Sequence, residues 1–255
     1  MIGKGSLPRE ISPGCFWFTT CLPVKAGDGH WLHNHNSCFL LIGSEATVLI
    51  DTAMPYGWPA LRDELADVLA GRPLDYVFPT HPEAPHMGNI GPLIEAYPGL
   101  TVVGDLRNYH LYYPGEEARM RTMRAGESLP LGDRRLDIVP AAIRDLPNTL
   151  WGYEPTARLL FLSDAYPYTH EHEAGQCGLL AEELPRMPEA SDTRLVIERA
   201  LSWTRHVEAD RAILAMDDFL RIYPASIIAP AHGGVITDVP AMTRVFHAGL
   251  RSIRG

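Results

Sequence analysis

Tyr76-Val77-Phe78-Pro79-Thr80-His81-Pro82-Glu83-Ala84-Pro85-His86-Met87-Gly88-Asn89 is the stretch on which the fold turns. Leu74 to Phe78 is a short apolar, β-favouring run, and Pro79 and Pro82 prevent its continuation as a central strand or its conversion to a helix. The polar cluster therefore sits on a loop at a strand's end. His81 and Glu83 are two apart and leave extended chain on the same side, while the turn favoured by Pro85 returns His86 toward them. Imidazole and carboxylate donors in one place suit iron, manganese or zinc, whereas thiolates would point to structural zinc. The competing reading is a polar surface loop with two incidental histidines, and only the surrounding chain can decide between them.

Working outward, Cys15 to Cys21, Ser37 to Gly43 and Ala46 to Asp51 read as three strands of a meander. Pro59 to Ala70 carries Leu61, Leu65, Val68 and Leu69 at the spacing of an amphipathic helix, so the strand at 74–78 closes a strand-helix-strand unit. The histidine loop then lies at a strand's carboxyl end, where ligand sites of α/β sheets collect. Gly88 to Tyr97 predicts a helix and Leu100 to Val103 a further strand. Beyond Glu127 the pattern changes to short strands over 127–130, 135–140, 149–153 and 158–163. Leu195 to Leu220, free of proline and glycine, predicts one long helical stretch, followed by a buried strand at 226–229 and a closing helix at 239–253. Strands then helices, twice over, predict an αββα sandwich: an α/β fold of two mixed sheets flanked by helices, with residues 1–255 as a single domain.

Composition narrows the function. A chain of 255 residues with 46% hydrophobic and 21% charged residues has the balance of a soluble globular protein, and a net charge of −9 without Lys/Arg runs argues against a nucleic-acid partner. No apolar stretch approaches a membrane span and Met1 to Glu10 lacks a signal-peptide core, so the expected setting is cytoplasmic. Cys15, Cys21, Cys38 and Cys177 show no C-x-x-C pairing and read as reduced, mostly buried thiols.

Three further polar residues follow apolar runs: Asp164 after Leu159 to Leu162, His232 after Ile227 to Ala229 with Gly233-Gly234 behind it, and Asp145 ahead of Pro147-Asn148-Thr149. A strand-terminal aspartate is commonly a turn or cap residue, whereas a histidine between a buried strand and two glycines can face a pocket. The ordered set His81-x-Glu83-x-x-His86, Leu162-Ser163-Asp164-Ala165-Tyr166 and Ala229-Pro230-Ala231-His232-Gly233 resembles the metallo-β-lactamase fold superfamily, and Val48-Leu49-Ile50-Asp51-Thr52 resembles that superfamily's second-strand signature. Glu83 in place of the middle histidine is similar to the flavodiiron proteins and their non-flavin relatives. Two departures stand out: Pro85 where those proteins have an aspartate, and Asp145 where they have a histidine. A carboxylate at the latter place resembles the diiron β-hydroxylases of this fold.

The resemblance implies that His81, Glu83, Asp145 and Asp164 hold one metal and His86, Asp164 and His232 a second, with Asp164 bridging. It implies two iron ions, with zinc or manganese as the alternative, and no flavin domain in this chain. Asp51, His30 and His35 are the expected supporting residues of the catalytic site. His30 falls where flavodiiron proteins place a histidine behind the metals, and His35 is the expected donor to the second metal in place of the missing aspartate, with His33 beside it. His170 and His172 are expected at the mouth of the site or in solvent. The implied activity is dioxygen binding or activation on a small substrate, with electrons from a separate reductase or from the substrate, and a homodimer is allowed. The alternative is a metal-dependent hydrolase of an ester, thioester or lactam, in which a metal lowers the pKa of bound water.

Overall fold

A computed structural model describes residues 5–253, and it holds the sandwich expected from the sequence. One sheet has seven strands in the order β1 (Arg9–Ser12), β2 (Cys15–Lys25), β3 (Trp31–Ile42), β4 (Thr47–Ile50), β5 (Tyr76–Phe78), β6 (Thr101–Gly104), β7 (Met120–Thr122). The other has five, ordered β12 (Ile227–Ala229), β11 (Leu159–Phe161), β10 (Leu150–Glu154), β9 (Arg135–Pro140), β8 (Ser128–Pro130). Both are mixed: β4, β5, β6 and β7 run parallel, as do β11 and β12, and the remaining pairs are antiparallel.

Alternation along the strands builds three apolar layers. Trp17, Phe39, Leu41, Val48 and Ile50 of the first sheet meet Leu136, Ile138, Leu159 and Phe161 of the second between the sheets. The opposite face of the first sheet, with Phe18, Leu40, Leu49 and Val77, is covered by helices α1 (Trp58–Leu69) and α3 (Ile90–Ala96) through Leu61, Leu65, Leu69, Ile90 and Leu93. Val139, Trp151, Leu160 and Ile228 on the outer face of the second sheet are covered by α5 (Ala190–Ala200), α6 (Ala209–Ile222) and α7 (Val239–Ser252). Two one-turn helices, α2 (Ala84–Met87) and α4 (Tyr109–Tyr112), complete the set named here.

Three expectations change. The stretch 195–220 is not one helix: a 3-10 turn over Ser202–His206 separates α5 from α6, because Leu201 turns into the core and Thr204 caps its carbonyl at 2.7 Å, while Trp203 donates to the Arg144 carbonyl at 2.7 Å. Residues 84–87 form a helical turn rather than a loop, Pro85 standing in the first turn where its missing N–H costs nothing. The largest change is at 30–36, where the polar His33-Asn34-His35-Asn36 run is the first half of β3, paired with β2 out to Lys25–Trp31. Pro23 is tolerated within β2 because β1 ends its pairing at Trp17, which leaves the far part of β2 as an edge.

Candidate metal centre

Every ligand candidate stands just beyond the carboxyl end of a strand or on the turn that follows, because parallel strands deliver their loops to one end of the sandwich. Asp51 follows β4; Thr80, His81 and Glu83 follow β5, with His86 on α2; Ser163 and Asp164 follow β11; His232 follows β12. Asp145 comes from the β9–β10 connection, whose neighbour Leu150 donates its N–H to the Thr80 carbonyl at 2.9 Å, joining the two sheets at the site.

Asp164 is the centre of this arrangement. It is 3% exposed, and its oxygens lie 3.5 Å from His81 Nε2, 3.3 Å from His86 Nε2 and 3.1 Å from His232 Nε2. Ligand atoms of His81, His86 and Asp164 all fall within 4.8 Å of one another, and so do those of His81, Glu83 and Asp145. His81 Nε2 is 3.7 Å from Glu83 Oε2, so that imidazole belongs to both groups. Six residues from four segments thus converge on one elongated group of donors.

Behind the ligands, hydrogen bonds set ring orientation. Asp51 accepts from the Thr80 N–H and hydroxyl, both at 2.8 Å, and its other oxygen is 3.0 Å from His86 Nδ1, which leaves His86 Nε2 facing Asp164. Ser163 Oγ lies 2.9 Å from His81 Nδ1 and 3.0 Å from Thr80 Oγ1. Such partners fix the tautomer of a ligating imidazole. Asp51 was expected here; Thr80 and Ser163 were not, although each directly precedes a ligand in the sequence.

The electrostatics show a site short of positive charge. Burial pushes the Asp145 carboxyl up to about 7, helped by the Asp164 and Glu83 charges. Burial would raise Asp164 too, but the His81, His232 and His86 imidazoles beside it hold it well below the usual carboxylate range. Glu83 is lowered by its contact with His81. The His86 imidazole is disfavoured as a cation by burial, yet Asp51 and Asp164 push it up to about 10. Meanwhile buried His81 Nε2, His86 Nε2 and both Asp164 oxygens make no hydrogen bond among the described residues. Buried polar atoms without partners are costly, and a cation accepting all of them removes that cost. The donor set therefore fits a pair of metal ions, with oxygens enough for iron.

Gly233 shows what the glycines behind His232 do. At φ +127° it takes a conformation side chains rarely adopt, and a Cβ there would lie 2.8 Å from the Tyr168 ring. The close approach is made by Tyr168, whose N–H also bonds the His232 carbonyl at 3.0 Å.

Two expected residues are elsewhere. His30 sits on the turn joining β2 to β3, half-exposed and paired with Asp28. A glycine-flanked turn beyond the strand ends cannot carry that imidazole back to the metals. His35 is 1% exposed, but its ring stands 4.4 Å from the His170 ring and 5.6 Å from Trp17, and its thiol neighbour is Cys177. It is therefore not the donor to the second metal. The reason is alternation: positions 33, 35, 37, 39 and 41 share the face of β3 turned to the second sheet, and at 33 and 35 that face meets the segment 170–178 instead of Asp164. His170, expected at the mouth or in solvent, is 3% exposed and its imidazole is pushed down by burial and by the neighbouring histidines.

A model of the metallo-beta-lactamase superfamily matches residues 33–184. The chain belongs to that superfamily. Among relatives, a nitric oxide reductase of Moorella thermoacetica is 24% identical over 98% of this chain and 62% of its own length. A coenzyme F420H(2) oxidase of Methanothermobacter thermautotrophicus is 27% identical over 62% of this chain and 41% of its own. Rubredoxin oxygen:oxidoreductase from Desulfovibrio gigas superposes with a TM-score of 0.77 at 17% identity, covering 96% of this chain and 61% of that one. The chain thus spans between two fifths and two thirds of the length of these relatives. Among the described residues, no helix is long and apolar enough to cross a membrane.

Proposed function

We propose that the chain is a dinuclear non-haem iron oxidoreductase that binds and activates dioxygen, acting on a small substrate. The observation that carries this reading is Asp164, a buried carboxylate set 3.1 to 3.5 Å from three imidazoles and flanked by two further carboxylates. His81, Glu83, Asp145 and Asp164 would hold one iron, and His86, Asp164 and His232 the other. When bound, iron supplies the electron transfer to dioxygen that none of these side chains can supply.

The protein's own contributions follow from the geometry. Asp51 and Thr80 aim His86, Ser163 aims His81, and three anionic side chains favour the higher charge states of a metal over the neutral-ligand preference of zinc. Pro85 brings no donor, so the second metal has three protein ligands and keeps room for a small molecule. The names of the three relatives given above describe electron transfer, to nitric oxide, from a reduced coenzyme or to oxygen, and none of the three describes hydrolysis. That favours the oxidoreductase over the hydrolase of an ester, thioester or lactam. The electrons come from a separate reductase or from the substrate itself.

Purifying the chain from iron-supplied cells and measuring bound metal and dioxygen uptake with a chemical reductant tests the proposal. About two irons per chain and reductant-dependent uptake are expected. A colourless protein holding only zinc at this centre, inert to dioxygen and active on a lactam or thioester, would overturn it.

A further inference from the structure

A second cluster of metal-ligating side chains lies outside the centre already described. Cys21 on β2 and His35 on β3 are direct cross-strand partners, and their side chains leave the same face of the hairpin. His172 and Cys177 come to them from the segment after Asp164, which is laid against β3 by paired backbone bonds: His33 N–H to the His170 carbonyl at 2.7 Å and the reverse at 2.9 Å. One ligand atom from each of Cys21, His35, His172 and Cys177 falls within 4.8 Å of the other three.

Three observations make this more than a crowd of polar groups. His35 is 1% exposed and neither ring nitrogen has a hydrogen-bond partner, so a fully buried imidazole is aimed at two sulfurs with nothing else to satisfy it. The His172 Nδ1–H is held by the Glu173 carbonyl at 2.8 Å, which places the proton on Nδ1 and leaves the Nε2 lone pair facing Cys21 Sγ at 3.4 Å. That is the outer hydrogen bond ligating histidines ordinarily make. His33 Nδ1 lies 3.2 Å from Cys21 Sγ, placed to donate to a thiolate there.

We propose that Cys21, His35, His172 and Cys177 form a second, closed metal site that takes one Zn2+ ion and clamps the β2–β3 hairpin to the segment after Asp164. Two thiolates with two imidazoles make a closed tetrahedral zinc set, and bonds of ~2.0 to 2.3 Å would put ligand atoms roughly 3.3 to 3.8 Å apart, which the sulfur to nitrogen contact already matches. A two-iron, two-sulfide cluster can also take two cysteines and two histidines, but it holds the pairs on different irons. The short sulfur to nitrogen contact favours a single ion. The clamp lies next to the first centre in the chain: β3 continues to Ser37, whose N–H bonds the carbonyl of Ala231, the residue before His232, at 2.8 Å. The inference does not depend on which metals occupy the first centre.

Cobalt separates the two centres, since a thiolate-to-cobalt charge-transfer band in the near ultraviolet requires sulfur and the first centre has none. The full chain, purified without oxygen and stripped of metal, is titrated with Co2+ and back-titrated with Zn2+. The band should appear in the wild type, saturate by three equivalents of Co2+, the most the two centres together can hold, and be displaced by Zn2+. It should persist in H86A/H232A, vanish in C21S/C177S and weaken strongly in H172A. Absence of the band in the folded wild type, with both thiols freely alkylated in the presence of Zn2+, overturns the proposal. So does a Cys21–Cys177 disulfide found by peptide mass in the oxygen-free preparation. If C21S/C177S fails to fold, the wild-type titration and H172A still decide.

Discussion

The two clusters differ in where the fold finds its donors. The carboxylate centre takes its residues from strand ends and the turns beyond them, Asp51, His81, Asp164 and His232 each following a short buried strand. The sulfur cluster takes Cys21 and His35 from the interior of a long hairpin, then completes itself with a loop from the other half of the chain. Loops at strand ends can spread around a ligand and leave one side open, which suits chemistry. Donors on paired strands are held at fixed spacing and closed over, which suits a clamp. The difference is in the donors as well: oxygen and imidazole in one, sulfur and imidazole in the other.

Removing the shared carboxylate tests that division most severely. Asp164→Ala should empty the first centre of both metals, because one buried side chain serves both imidazole groups. Altering a residue that merely supports a ligand costs ~10- to 100-fold in metal affinity or activity, so losing the bridging ligand should abolish dioxygen uptake beyond that range. The cobalt–thiolate band of the second cluster should survive, and its loss would mean that the two clusters are one cooperative unit. A smaller effect is expected of Asp51→Asn, which keeps the size of the side chain but weakens its hold on His86 and Thr80. Iron affinity should fall by ~10- to 100-fold with the fold intact by circular dichroism. Unchanged iron binding would reduce Asp51 to a turn residue.

The smallest effect concerns charge alone. Asp145 is raised from 3.8 to about 7 in the folded, metal-free chain, so its contribution to stability is fully present below pH ~4 and is lost as pH rises through about 7, where it ionises beside Glu83 and Asp164. Asp145→Asn removes that loss. The melting temperature of the metal-free variant, relative to wild type, should therefore climb between pH 4 and pH 8, while its iron binding weakens. A difference that stays flat with pH would mean that no repelled carboxylate stands at this position.

How far the sequence could be read follows the same line. The strand-end residues were legible because punctuation is local: a short apolar run and then a polar side chain at His81, Asp164 and His232, with a proline between them at His81 and His232. Residues 31–36 were not, because histidine and asparagine carry weak strand preference and become a buried strand only under the segment that ends β11. The 3-10 break after Leu201 was invisible for a like reason, since it is set by packing and by the bond from Trp203 to Arg144.

By itself, then, the sequence determined the αββα sandwich and most of its strands and helices, and it put the candidate ligands of the carboxylate centre at strand ends, since each depends on residues near in the chain or on short runs that must be buried. Tertiary structure alone decided that His35 meets His170, and that Cys21 meets His172 across a separation of 151 residues. A contact that distant leaves no periodicity or spacing in the sequence. It exists because closing the sandwich lays one loop across one hairpin, and only the folded chain brings those four side chains to a single point.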